Sequence, residues 1–77
     1  MAQRTKLFEK IKNNPNNVTF AQIERLLLRE GFSLDRITGS HHVFTRENVT
    51  FVIPKHGKQV KSVYVKRVIE TLEEETE

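Results

Sequence analysis

The chain contains no cysteine among its 77 residues. Disulfide staples, thiolate metal sites and a cysteine nucleophile are therefore excluded. Tryptophan is also absent, and there are one Met and five Phe. Most of the core must then come from Leu, Ile, Val and Phe. No apolar run approaches the roughly 18 residues that a membrane span requires. Met1-Ala2-Gln3-Arg4 leads into a charged segment rather than an apolar leader. By default these absences predict a cytoplasmic protein with no membrane contact. The length allows one domain. A composition of 36% hydrophobic and 30% charged residues fits a folded domain with a small core.

The net charge of +3 hides an asymmetry. Up to Leu72 there are 13 basic residues against 6 acidic ones, an excess of 7, while Glu73, Glu74, Glu75 and Glu77 crowd the end. A basic body suits a polyanion partner. The acidic run reads more simply as a frayed, solvated helix end.

Leu7, Phe8 and Ile11 form one stripe of a short helix over residues 4–12, stopped by Asn13-Asn14-Pro15-Asn16-Asn17. Thr19 followed by Gln22 predicts a capping box at the start of a second helix. Phe20, Ile23, Leu26 and Leu27 line its inner face, and Gly31 suits its C-terminal stop. From Phe32 the period becomes two. Phe32 and Leu34 alternate with Ser33 and Asp35 on a strand running to about Thr38. Gly39-Ser40 breaks it, a second strand covers 41–46, Glu47-Asn48 makes a tight turn, and a third strand over 49–53 stops at Pro54. After the basic loop 55–61, Ser62 is expected to cap a last helix near 63–73 that buries Val65, Val68, Ile69 and Leu72. The predicted fold is α+β: an αβββα order with a three-stranded antiparallel meander, helices on one face, and an extra N-terminal helix. No internal repeat is present.

Histidine is the main candidate for chemistry. His41 and His42 are adjacent on a strand and point to opposite faces, so they cannot easily share a metal ion. No Asp or Glu lies within four residues of either, HExxH is absent, and no strand–elbow–helix context surrounds Ser40. No metal and no cofactor are therefore predicted. If Phe44 faces the core, His42 shares its side, and His41 projects from the open face beside the Gly39-Ser40 turn. A bulge after Gly39 would reverse this. Histidine titrates near neutrality. RNA brings its own nucleophile, the ribose 2′-OH, which a general base can activate without a metal. Surface or structural histidines are the plainer alternative.

Taken in order, these segments resemble the HicA toxin family of bacterial toxin–antitoxin systems, small ribonucleases acting on mRNA. The resemblance covers about residues 18–72. It rests on Leu28-Arg29-Glu30-Gly31-Phe32, on Gly39-Ser40-His41-His42-Val43-Phe44, on Val52-Ile53-Pro54-Lys55-His56, and on the Lys-rich loop leading into Tyr64-Val65-Lys66-Arg67-Val68-Ile69. It implies a fold like the double-stranded-RNA-binding domain, His41 as the catalytic histidine, and inhibition by a HicB-like antitoxin over the catalytic face. It matches His56, in an Ile-Pro-x-His segment, to a supporting role as phosphate contact or second proton carrier; Ser40 is a further supporting candidate. The resulting division is an N-terminal helical extension (1–17), a HicA-like domain (18–73) and an acidic tail (74–77). Residues 1–17 add a helix that a minimal family member lacks.

Lys55, Lys58, Lys61, Lys66 and Arg67, with Arg36 and Arg46 on the strands, are the candidate contacts to RNA phosphates. Tyr64 is expected to pack on the sheet or to stack on a base. Two other classes remain open: a non-catalytic RNA-binding module using the same basic face, and a protein-interaction domain pairing through an open sheet edge.

Overall fold

Apolar residues at helical spacing place α1 (Lys6–Asn13) with Phe8 and Ile11 buried. The computed structural model describes residues 6–75. The start of the first helix at Arg4 and the last tail residues, Thr76 and Glu77, lie outside the described residues. Helix α2 (Phe20–Arg29) begins with the capping box read from the sequence. The Gln22 backbone N–H donates to the Thr19 hydroxyl at 3.2 Å, and the Thr19 N–H donates to the Gln22 side chain at 2.9 Å. Two otherwise unpaired donors are thereby satisfied. Gly31 follows with φ +93°, a conformation that a Cβ disfavours.

Strands β1 (Ser33–Thr38), β2 (His41–Arg46) and β3 (Val49–Pro54) form one antiparallel sheet in the order β1-β2-β3. Two-residue loops join them, Gly39-Ser40 and Glu47-Asn48, and the first residue of each has positive φ, Gly39 at 60° and Glu47 at 54°. Such turns match the natural twist of a hairpin. The β2–β3 register is unbroken from His41↔Pro54 to Arg46↔Val49. The β1–β2 register slips between Leu34 and Arg36.

Helix α3 (Ser62–Glu75) crosses the same face of the sheet as α1 and α2. One cluster holds Phe8, Ile11, Ile23, Leu26, Leu27, Phe44, Ile53, Val65, Val68 and Leu72, so residues from all three helices and the inner sheet face share one core. The N-terminal helix thus contributes two side chains to the common core. Glu73 of α3 pairs with Lys12 of α1.

Leu34 is 41% exposed and Ile37 54% exposed, and all of β1 is exposed, because β1 is an edge strand lying beyond the helices and kinked by the irregularity at Asp35. Two details differ from the sequence reading. Ser62 does not cap α3 from outside. It is the first helical residue, and the amides of Tyr64 and Val65 bond back to the Lys61 carbonyl. The acidic end is helical through Glu75, with Glu73 and Glu75 both paired to cations.

Candidate RNA-facing site

The candidate residues gather where the outer face of the sheet meets the β3 edge. Strand alternation puts His42 and Phe44 toward the helices and His41, Val43 and Thr45 outward. His41 is exposed. His42 is half-buried, its ring edge-on to Phe20 at 4.6 Å between centroids and its Nδ1 3.4 Å from the Ser40 carbonyl. The parity argument works because the irregularity falls in β1, leaving β2 in phase with β3.

His41 stands at the junction of two surface hollows. One, of about 150 Å³, is lined by His41, Pro54, His56, Gln59, Lys61 and Tyr64. The other, of about 280 Å³, runs along residues 50–54 of β3 and is closed by Tyr64 and Arg67 of α3. His41, Pro54 and Tyr64 belong to both.

Backbone pairing positions the loop 55–61 that carries His56 and Lys61. The Lys55 N–H donates to the Ser40 carbonyl at 2.7 Å, tying the loop to the turn before His41. Farther on, the Phe20 N–H donates to the Lys58 carbonyl at 2.8 Å and the Val60 N–H to the Val18 carbonyl at 2.9 Å. Val60 is buried, and the Gln59 side chain donates to Asn17 at 2.7 Å. The loop is therefore held by three backbone bonds and one side-chain bond.

The candidate cations separate into groups. Lys61, Arg67 and His56 line the hollows beside His41. Arg36 pairs with Val43 across the sheet, so it occupies the outer face that His41 shares, and its guanidinium lies 3.6 Å from Asp35. Lys55 and Lys58 instead flank a separate hollow at the start of α2, where the Lys55 ammonium sits 5.2 Å from the Phe20 ring centre. Lys66 shares a hollow with Lys12 and Glu70 on the other side of α3. Arg46 ends β2, five residues from His41, or about 17 Å at the usual rise of a strand. It donates to the Glu30 carbonyl, pairs with Glu75, and covers the Phe32 ring at 4.5 Å. Ser40 is half-buried in its turn and lines neither hollow beside His41.

Sequence reasoning passed over Gln59. Tyr64 packs against the core cluster, as the sequence favoured, and its side chain also lines the two hollows. Among the described residues, no group of three or more His, Cys, Asp or Glu converges as metal ligands would. No helix of the described residues is long and apolar enough to cross a membrane.

Among the described residues, a small α+β arrangement with three helices behind a three-stranded meander, and a histidine on the open sheet face, defines the class of this chain. Residues 20–73 match the family described as the HicA toxin of bacterial toxin–antitoxin systems, and the chain belongs to that family. No curated protein and no solved structure matches it. Membership makes the chain a toxin of a toxin–antitoxin system, with an antitoxin as its counterpart.

Proposed function

We propose that the chain is an endoribonuclease that cleaves mRNA, with His41 as general acid–base, and that a HicB-like antitoxin inhibits it by covering the outer sheet face. The observation that carries this reading is the exposure of His41 beside a second histidine, His56, and a lysine, Lys61.

The chemistry needs a base, an acid and a charge stabiliser. His41 takes the proton from a ribose 2′-OH. The freed oxygen attacks the adjacent phosphorus, and the bond from phosphorus to the 5′-oxygen breaks. Protonated His56 or Lys61 gives its proton to the leaving oxygen, while the cations stabilise charge on the phosphorane. The products are a 2′,3′-cyclic phosphate and a 5′-hydroxyl. Because the substrate supplies the nucleophile, the route requires no metal, and DNA cannot follow it. Lys61, Arg67 and Arg36 are the phosphate contacts that the placement favours. Lys55 and Lys58 extend the basic surface around the start of α2.

The test is induced expression of the wild type beside His41→Ala, with growth and total RNA followed together. The wild type arrests growth and fragments mRNA, while the variant does neither and remains folded. RNA cleavage by the variant at the wild-type rate overturns the assignment. A wild type that binds RNA in a salt-dependent way without cutting it overturns the ribonuclease reading in favour of a binding module.

A further inference from the structure

Tyr64 is where the two hollows meet. It occupies the first turn of α3, half-buried, with part of its side chain against the core. That packing limits the freedom of the ring, so little remains to be lost when a planar ligand lies on it. One hollow is polar, with His56, Gln59 and Lys61. The other is a groove along β3 that includes Arg67.

The groove has a property that its side chains do not reveal. Among the described residues, β3 pairs only with β2, so its other edge is unpaired. On the phase set by the Lys55 N–H to Ser40 bond, the N–H and C=O of Thr50 and Val52 and the C=O of Pro54 point away from β2, toward the groove. An edge of this kind can hydrogen-bond to the polar rim of a nucleobase, and Arg67 can hold an adjacent phosphate. The polar hollow suits a ribose-phosphate unit.

We propose that Tyr64 divides two nucleotide subsites and that the substrate is single-stranded RNA bent across its ring. A base stacks on Tyr64 and is read by the β3 edge, the next phosphate lies over His41, and the following ribose-phosphate enters the His56–Gln59–Lys61 hollow. A duplex keeps its bases stacked on one another and cannot place one in the groove. Tyr64 is a positioning and specificity-determining residue rather than a proton carrier. The inference rests on the ribonuclease reading for the placement of the phosphate over His41.

Binding separates the two claims. The probe is a short RNA with 2-aminopurine at successive positions, titrated into the His41→Ala protein so that no cleavage intervenes. Fluorescence is expected to be quenched at one position, the base that lies on the ring. Adding Tyr64→Leu, which keeps an apolar side chain against the core, abolishes that quenching and weakens binding at least fivefold, the lower end of what base–aromatic stacking supplies. Tyr64→Phe restores both. The same sequence annealed as a duplex binds at least tenfold more weakly. Unchanged affinity and quenching in the folded Tyr64→Leu protein, or a duplex bound as tightly as the single strand, overturns the proposal even if the wild type cleaves RNA. Conversely, stacking on Tyr64 by a wild type that never cleaves refutes the ribonuclease reading and leaves the stacking site standing.

Discussion

Arg46 separates a structural from an RNA-binding role, and its replacement by Ala tests which role the side chain has. The side chain is 21% exposed and makes three contacts. It donates to the Glu30 carbonyl at the end of α2, pairs with Glu75 on α3, and lies 4.5 Å over Phe32. A hydrogen bond from a charged donor contributes about 1.5–3 kcal/mol. A partly exposed cation–π contact adds about 0.5–1 kcal/mol. The ion pair, partly exposed to water, adds about 0.2–1 kcal/mol. These share one side chain and do not sum in full. The expected loss for Arg46→Ala is about 2–3 kcal/mol, a large part of the stability of so small a domain. At roughly 4–8 °C per kcal/mol for this size, the melting temperature falls by about 8–24 °C. Arg46→Lys keeps the charge but not the forked geometry, and costs about 1 kcal/mol. Urea titration followed by circular dichroism measures both. RNA affinity of the folded fraction stays within twofold of wild type. A loss below about 0.5 kcal/mol, or a tenfold drop in RNA affinity at unchanged stability, refutes the structural reading.

Three other outcomes follow from the packing and charge. Phe8→Ala, in the N-terminal helix but in the common core, costs about 3–5 kcal/mol by urea unfolding; a negligible cost would show that α1 only decorates the domain. Glu73 holds the Lys12 ammonium above the ordinary lysine value of 10.5 through a hydrogen bond and its charge. A raised folded-state pKa gives stability that is fully present below the unfolded value and lost as pH rises through the folded one. Stability measured from pH 9 to 12 should therefore fall more steeply in the wild type than in Glu73→Gln, and the difference should shrink in high salt. Glu47 has positive φ in its hairpin turn, so Glu47→Gly relieves about 1 kcal/mol of backbone strain, less the entropy cost of glycine, and raises the urea midpoint slightly; a lower midpoint would count against strain at this turn.

Much of the fold was legible because local signals agreed. Thr19 and Gln22 announced the start of α2, the two-residue loops announced the hairpins, and the apolar spacing of Val65, Val68, Ile69 and Leu72 marked the inner side of α3. Alternation along β2 told His41 from His42 because that strand keeps its phase. The exposure of Leu34 was not legible, since alternation says which side a residue faces but not whether a helix reaches that far. The grouping of the cations was not legible. Lys55, Lys58 and Lys61 lie within seven residues, yet the pairing of the loop with residues 18–20 sends the first two toward α2 and the third toward His41. The partner of Arg46 lies 29 residues away on another element, and no periodicity links the two.

The central claim is that His41 activates the RNA's own 2′-OH. The direct measurement is the rate at which purified protein cleaves an oligoribonucleotide, compared with the same oligonucleotide carrying a single 2′-deoxy sugar at the cleavage site. The account predicts that the all-RNA strand is cut to a 2′,3′-cyclic phosphate, that the 2′-deoxy strand is not cut at that position, and that His41→Ala slows the all-RNA reaction at least a hundredfold. Equal cleavage of the two strands, or of RNA by His41→Ala at the wild-type rate, contradicts it.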